Sequence, residues 1–117
     1  MKKIYLSVPI EGLNDAEVQA NIDFFKQYLT EEDEAIDNFI TIPEGSLKLY
    51  GLGEGIKKIG ECDEVWMHPN WRYYRECYVE YTAAYMYDIS ILDFSNEMTY
   101  GCVEERKRKV DAVKDES

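Results

Sequence analysis

Residues 4–14 read IYLSVPIEGLN, an apolar run that ends at a proline and is followed by a glycine and an asparagine. Such a run predicts a buried β-strand that leads into a loop. Asn14 is a candidate N-cap, because Glu17 stands three residues later, as in a capping box. The sequence therefore predicts a helix that follows the loop and reaches Thr30, with apolar residues at helical spacing at Val18, Ile22, Phe25 and Leu29.

Strand and helix alternate along the rest of the chain. The predicted strands are residues 4–7, 36–41, 65–67 and 89–94, and the predicted helices are residues 14–30, 49–59, 73–87 and about 98–113. Helices of this length can connect parallel strands as crossovers. We therefore expect one α/β domain over residues 1–117. Its predicted core is a Rossmann-like (flavodoxin-like) parallel sheet of about four to five strands with helices on both faces.

The loops between these elements indicate where a ligand is expected. The acidic residues 31–34 are predicted to form a turn or a solvated linker. In parallel sheets of this kind, ligands bind at the carboxyl ends of the strands. The loops at residues 7–14, 41–45 and 68–74 are therefore the predicted binding region.

The composition narrows the range of partners. The formal net charge is -11, from 13 Lys and Arg against 24 Asp and Glu. This charge repels nucleic-acid phosphates and anionic membrane surfaces, so neither is an expected partner. The charge serves solubility in the simpler interpretation, whereas in the sharper one it mimics nucleic acid and engages a basic protein surface.

The cysteines and the N-terminus predict a protein of the cytoplasm. Cys62, Cys77 and Cys102 are odd in number and have no C-x-x-C spacing, which favours reduced thiols over disulfides or a metal site. The apolar run at residues 4–6 is too short for a signal peptide, and no stretch is long enough to span a bilayer.

Two further motifs carry weaker hypotheses. The glycines at 51, 53 and 55 suggest a phosphate loop, but Ile56 breaks the G-x-G-x-x-G pattern, and close helix packing explains them as well. His68 is the single histidine and follows a predicted strand. Without a paired nucleophile it is more simply a loop residue than a general base.

The predicted third helix carries the most informative carboxylate. Glu80 shares a helix row with Tyr73, Cys77 and Ala84, a row otherwise made of aromatic and small residues. From this spacing alone, a solvated edge residue is favoured over a semi-buried carboxyl with a raised pKa. The adjacent stripe is most simply core or interface, and base stacking is the rarer alternative; it contains Tyr74, Tyr78, Tyr81 and Tyr85.

A family resemblance changes the interpretation of Glu80. The chain contains Ile4-Tyr5-Leu6-Ser7-Val8-Pro9-Ile10, then Asn21 and Phe24, then Ile59-x-x-Cys62-Asp63-Glu64-Val65-Trp66-Met67-x-Pro69-x-Trp71, and then Glu80-x-x-x-Ala84. In this order, over residues 3–94, the motifs resemble the nucleoside 2-deoxyribosyltransferase-like superfamily. They are most similar to its small phage- and prophage-type members of unassigned activity.

The resemblance implies a site and a chemistry. Glu80 would attack the anomeric carbon of a nucleoside or nucleotide, and Tyr5 would orient it. A second base or water would then resolve the glycosyl-enzyme intermediate, without a metal or an organic cofactor. A homo-oligomer, in which a neighbour completes the site, is the expected assembly. The residues expected to bind the substrate are Ser7, Val8, Pro9, Ile10, Glu54, Trp71 and Tyr74.

Departures from the family pattern leave two functions open. Tyr74 and Glu76 stand where phosphate-binding members have serine and glycine, and a ring and a negative charge there oppose phosphate binding. Val8 replaces a loop glycine, and Gly55 stands where an aspartate is expected, with Glu54 beside it. One hypothesis is an N-glycosidic-bond hydrolase or deoxyribosyltransferase. The other is an inactive acidic binding protein, such as a phage-encoded inhibitor of a host defence system that engages a basic protein surface or a nucleotide-derived ligand.

Overall fold

The computed structural model describes residues 1–37, 48–96, 107–108 and 110–112. Strand and helix alternate, as the sequence predicts. The elements are β1 (Lys2–Ser7), α1 (Asp15–Lys26), β2 (Asp33–Asp37), α2 (Lys48–Ile59), β3 (Glu64–Met67), α3 (Arg75–Met86) and β4 (Ser90–Asp93). One turn of 3-10 helix, Trp71–Tyr73, precedes α3.

The strands form a parallel sheet in the order β2-β1-β3-β4. In this register Tyr5 lies between Ile36 of β2 and Val65 of β3, and Val65 in turn pairs with Ile91 of β4. The predicted Rossmann-like α/β architecture is thereby confirmed. Because all strands run the same way, the residues that end β1, β3 and β4 share one edge of the sheet.

Alternate residues of the central strands supply two hydrophobic cores, because successive side chains of a strand point to opposite faces. One core lies against α1 and contains Ile4, Leu6, Val18, Ile22, Phe25, Trp66 and Phe94. The other lies against α2 and α3 and contains Tyr5, Ile59, Val65, Met67, Trp71, Cys77 and Ala84. Helices therefore cover both faces, and α3 packs against β3 and β4.

The first helix begins at the predicted cap and ends earlier than predicted. The Asn14 side chain accepts a hydrogen bond from the Glu17 backbone N–H at 2.8 Å, and the Glu17 carboxylate accepts one from the Asn14 N–H at 3.2 Å. The prediction of a helix up to Thr30 was wrong by four residues. The reason is that the Thr30 N–H donates to the Asp33 carboxylate at 2.9 Å, which turns the chain toward β2.

The second strand begins within the acidic cluster, so the prediction of a turn or linker over residues 31–34 was wrong at Asp33 and Glu34. These two residues pair with Lys2 and Lys3 of β1. β2 lies at an edge of the described sheet, where charged side chains can extend into water while the backbone pairs on one side. Of the predicted strand at 36–41, residues 38–41 lie outside the described residues.

The ends of the other elements differ only slightly from the predictions. The third helix begins at Arg75 rather than Tyr73, because residues 71–73 form the 3-10 turn. The predicted C-terminal helix is present where it is described, with Val110 buried and an ion pair between Lys107 and Asp111 at 3.4 Å. Its predicted start near residue 98 lies outside the described residues.

Candidate active site

Glu80 is buried at the carboxyl edge of the sheet, beside the end of β1. Only 3% of its surface is exposed, so the interpretation as a solvated edge residue was wrong. The reason is tertiary: the row that Glu80 shares with Cys77 and Ala84 faces the sheet, and both of those neighbours are fully buried. The sequence shows the helix row, but it does not show that this row packs against the sheet.

Two hydroxyl groups of β1 hold the Glu80 carboxyl group. The Tyr5 hydroxyl donates a hydrogen bond to Oε2, and the Ser7 hydroxyl donates one to Oε1 at 2.9 Å. Tyr5 and Ser7 stand two residues apart on one strand, so their side chains point to the same face. The structure thus brings together three of the residues that the resemblance assigns to the site.

Burial and a neighbouring carboxyl group make Glu80 a weaker acid than an exposed glutamate. Burial raises the pKa of Glu80 to about 7, and the charge of Glu76 adds to this rise, while the hydrogen bonds from Tyr5 and Ser7 oppose it. Burial, followed by the charge of Glu80, also raises the pKa of Tyr5 above its ordinary value, so Tyr5 remains a proton donor. Near neutral pH, the site therefore holds a carboxyl group that readily gains and loses its proton.

No lysine or arginine forms an ion pair with Glu80 among the described residues. The two arginines nearest in sequence pair elsewhere: Arg75 binds Glu11 at 2.7 Å, and Arg72 lies 4.0 Å from Asp93. An arginine partner would have held Glu80 ionised in a structural role. In the described part of the chain, the donors that stabilise its negative charge are instead the neutral hydroxyl groups of Tyr5 and Ser7.

Glu76 is a second buried carboxylate that the sequence reasoning treated only as a departure from the phosphate-binding pattern. Its Oε1 accepts hydrogen bonds from the backbone N–H groups of Ile10 at 2.9 Å and Glu11 at 3.1 Å. Its Oε2 is buried and accepts no hydrogen bond from the described residues. Burial raises the pKa of Glu76, and a side-chain hydrogen bond with Glu11 adds to this rise. The spacing of four residues from Glu80 is the sequence signal that places both carboxylates on one helix face.

The other loop residues assigned to binding serve mainly to pack the loop. Val8 is a core residue of the α1 side, and Pro9 is buried, with its carbonyl oxygen accepting a hydrogen bond from the Asn21 side chain at 3.2 Å. Ile10 packs partly against the same core and contacts Glu76 through its backbone. Of residues 7–10, Ser7 is the one whose side chain contacts Glu80.

Trp71 and Tyr74 pack on the α3 side, and Glu54 lies apart on α2. Trp71 is buried, stacks on the Tyr81 ring at 4.4 Å between centroids, and donates from Nε1 to Asp93 at 3.0 Å. Tyr74 is half-buried against the same core. Glu54 forms an ion pair with Lys57 at 3.0 Å. None of the three forms a hydrogen bond with Glu80 among the described residues.

His68 is a buried residue of the loop after β3, as the simpler interpretation held. Its Nδ1 accepts a hydrogen bond from the Asn70 N–H at 3.1 Å, and its ring packs on Phe24 and Phe25. Burial lowers its pKa to about 4, so the imidazole is neutral near pH 7.

The described residues contain neither a cluster of metal ligands nor a membrane-spanning helix. No group of three or more His, Cys, Asp or Glu side chains is placed to hold a metal ion there. Within the same part of the chain, no helix has the length and apolar character needed to cross a membrane.

Comparison with known proteins identifies the family but not its activity. The model of a family described as a domain of unknown function, DUF4406, matches residues 2–93. The chain belongs to this family. The match extends from the start of β1 to the end of β4 and so contains Glu76, Glu80 and both hydroxyl donors. Neither the curated proteins nor the solved structures yield a match.

Proposed function

We propose that this DUF4406 protein cleaves the N-glycosidic bond of a nucleoside or nucleotide, as a hydrolase or a deoxyribosyltransferase. The observation that carries the proposal is the state of Glu80. Its carboxyl group is buried at the carboxyl edge of a parallel sheet, is held by two hydroxyl donors and has no ion-pair partner among the described residues. The resemblance to the nucleoside 2-deoxyribosyltransferase-like superfamily supplies the substrate class.

The reaction needs no group beyond Glu80, the substrate and an acceptor. The ionised carboxylate attacks C1′ of the sugar, the C1′–N bond breaks, and the departing base takes up a proton from water. An ester now joins C1′ to Glu80. Attack on C1′ by water releases the free sugar, whereas attack by a second base gives a new nucleoside, and both regenerate the carboxylate.

The hydroxyl donors suit a nucleophile that must change charge twice in each cycle. Tyr5 and Ser7 hold one oxygen each, so the carboxylate has a defined direction toward the reacting carbon. Neutral donors stabilise the negative charge less than an arginine would, which keeps the carboxylate reactive. Tyr5 and Ser7 are therefore proposed as positioning residues for Glu80.

The test is release of free base by the purified protein. A panel of nucleosides and nucleoside monophosphates is incubated with the wild type, with Glu80→Gln and with Glu61→Gln, and the products are separated by chromatography. Glu61 is exposed on the surface, so its variant controls for the loss of one negative charge. Release by the wild type and Glu61→Gln, but not by Glu80→Gln, supports the proposal. No release from any compound at near-stoichiometric protein concentration would refute it.

An inactive acidic binding protein is the second candidate, and the surface of α3 favours it. Tyr73, Tyr78, Tyr85 and Tyr87 are exposed on or beside this helix, in a protein with a net charge of -11. Exposed tyrosines and negative charge both suit arginine side chains of a basic protein surface. Titration with an arginine-rich peptide tests this candidate. Salt-sensitive binding that is weakened by Tyr85→Ser would favour it, and absence of binding would exclude this mode.

A further inference from the structure

We infer that Glu76 is a specificity-determining residue that accepts a hydrogen bond from a sugar hydroxyl of the ligand and rejects a phosphate group at the same place. This inference rests on the proposed function for its ligand class, a nucleoside. The proposed function leaves open whether the ligand is a nucleoside with free sugar hydroxyl groups or a nucleotide with a sugar phosphate. With Glu76 in this role, the ligand is the nucleoside.

The first observation is that the loop after β1 already holds an anionic group. The backbone N–H groups of Ile10 and Glu11 both donate to Glu76 Oε1, at 2.9 and 3.1 Å. Successive backbone N–H groups that converge on one point form a typical binding place for an anion such as phosphate. Here the carboxylate of α3 occupies that place, so a phosphate would have to displace it.

The second observation is the other oxygen of the same carboxylate. Glu76 Oε2 is buried, on a residue that is only 8% exposed, and no donor in the described part of the chain reaches it. Buried carboxylate oxygens normally have a donor, and a ligand hydroxyl would supply one. Glu76 and Glu80 stand one helical turn apart on the same face, and the charge of Glu76 acts on Glu80. A sugar whose C1′ meets Glu80 therefore presents its hydroxyl groups close to Glu76.

The surroundings of Glu76 add to the rejection of phosphate. Glu11 lies beside it and is ionised, because Arg75 lowers the pKa of Glu11 to about 2. Both Glu11 oxygens accept from the Arg75 guanidinium, at 3.0 and 2.7 Å, and Lys48 lies 3.8 Å away. A side-chain hydrogen bond between Glu76 and Glu11 raises the pKa of Glu76 and lowers that of Glu11, so Glu76 supplies its proton. Once Glu76 is ionised, Glu11 has no proton to donate to Oε2, and a ligand hydroxyl can take that place. Arg75 and Lys48 thus pair with Glu11, and neither forms an ion pair with Glu76 among the described residues that could offset its charge toward a phosphate.

The experiment compares equilibrium binding of one nucleoside, its 5′-monophosphate and its 3′-monophosphate at pH 8 by calorimetry. The proteins are the wild type, Glu76→Gln and the charge-matched surface control Glu61→Gln. We expect the wild type and the control to bind the nucleoside at least about tenfold more tightly than one or both monophosphates. In Glu76→Gln, which replaces the unpaired acceptor by an amide N–H₂ donor, this ratio should fall by about tenfold or more.

A second measurement does not depend on the folding of a variant. Deoxynucleosides that lack the 5′- or the 3′-hydroxyl are titrated into the wild type, and removal of the hydroxyl that contacts Glu76 should weaken binding by about tenfold. Equal binding of nucleoside and both monophosphates, an unchanged ratio in Glu76→Gln, or no binding of any ligand would each overturn the inference. Base release is measured in the same samples. Selective binding without release would therefore refute the proposed chemistry but support the role of Glu76.

Discussion

Two buried carboxyl clusters lie at the same edge of the sheet, one at the end of β4 and one at the end of β1. Asp93, at the end of β4, accepts hydrogen bonds from Trp71 Nε1 at 3.0 Å and from the Ser95 N–H and hydroxyl at 2.9 and 2.6 Å. Glu80 and Glu76 lie beside the end of β1, where burial raises the pKa of both and the charge of Glu76 raises that of Glu80 further. One oxygen of this pair, Glu76 Oε2, has no donor within residues 1–37 and 48–96 or the described part of the C-terminal helix.

Asp93 accepts hydrogen bonds that stabilise the fold, whereas the buried charges of Glu80 and Glu76 reduce its stability. The hydrogen bonds of Asp93 join the 3-10 turn before α3 to the loop after β4 and so help to fix the site. Ionisation of Glu80 instead opposes folding, because burial and Glu76 raise its pKa. A buried carboxyl group that reduces stability is more readily retained in a protein where that group has a function. The following predictions test this contrast.

The largest expected effect is the loss of base release in Glu80→Gln. The amide has the shape of the carboxyl group but cannot attack C1′, so the rate should fall by about 10³-fold or more. Steady-state kinetics on the best nucleoside of the panel measures the change. Asp93→Asn serves as the matched control at the other cluster, and equal losses in the two variants would contradict a special role for Glu80.

The contribution of Glu80 to stability and the activity should depend on pH with opposite signs. The pKa of Glu80 is about 7 in the folded protein against an ordinary value of 4.5, so the folded state keeps a proton that the unfolded state loses. The contribution of Glu80 to stability should therefore fall by about 3 kcal/mol as the pH rises from about 4.5 to 7. His68, whose pKa burial lowers to about 4, contributes in the opposite direction over much of this range, so the Glu80 contribution shows only in a comparison with a Glu80 variant. Activity should rise over the upper part of that range, since only the ionised carboxylate is nucleophilic.

Urea unfolding of the wild type and Glu80→Gln across this pH range isolates the contribution of Glu80. The difference between their free energies of unfolding should change with pH, and Glu80→Gln should be the more stable protein at pH 8. Asp93→Asn should have the opposite sign there, a loss of about 1–2 kcal/mol, because it weakens hydrogen bonds to a charged acceptor. Destabilisation of both variants at pH 8 would contradict the proposed difference, in which Glu80 reduces stability and Asp93 increases it.

Tyr5→Phe should reduce the activity of the site without abolishing it. The Tyr5 hydroxyl lowers the pKa of Glu80, so its removal should move the midpoint of the pH–rate profile to higher pH. At pH 7 we expect about a tenfold loss of kcat/KM, with part of the loss recovered at pH 8.5. A uniform loss at every pH would mean that Tyr5 acts in some way other than on the ionisation of Glu80.

The smallest effect is expected for Glu54→Gln. Glu54 pairs with Lys57 on α2 and forms no hydrogen bond with Glu76 or Glu80 among the described residues. A surface pair of this kind contributes little to stability. The rate of base release should stay within about twofold of the wild-type rate. The unfolding midpoint should equal that of the wild type within experimental error. A loss of tenfold or more would return Glu54 to the substrate site that the family resemblance assigns to it.

The order of elements was predictable because each depends on residues near in sequence. The strand-loop-helix unit at residues 4–29 shows an apolar run, a proline, a capping box and helical spacing, and local patterns of this kind survive in the folded protein. Prediction failed at Asp33 and Glu34, where pairing with β1 outweighed the charge of the segment. Backbone pairing with a distant strand has no signature within the segment itself.

The sequence by itself determined the α/β architecture, the acidic surface and the helix row that contains Glu80. Only the tertiary structure decided that this row faces the sheet, that Tyr5 and Ser7 donate to Glu80, and that Glu76 occupies the N–H groups of Ile10 and Glu11. These contacts join residues 65 to 75 positions apart. Helical spacing shows which residues share a face, but the burial and pKa of that face depend on what the rest of the chain packs against it.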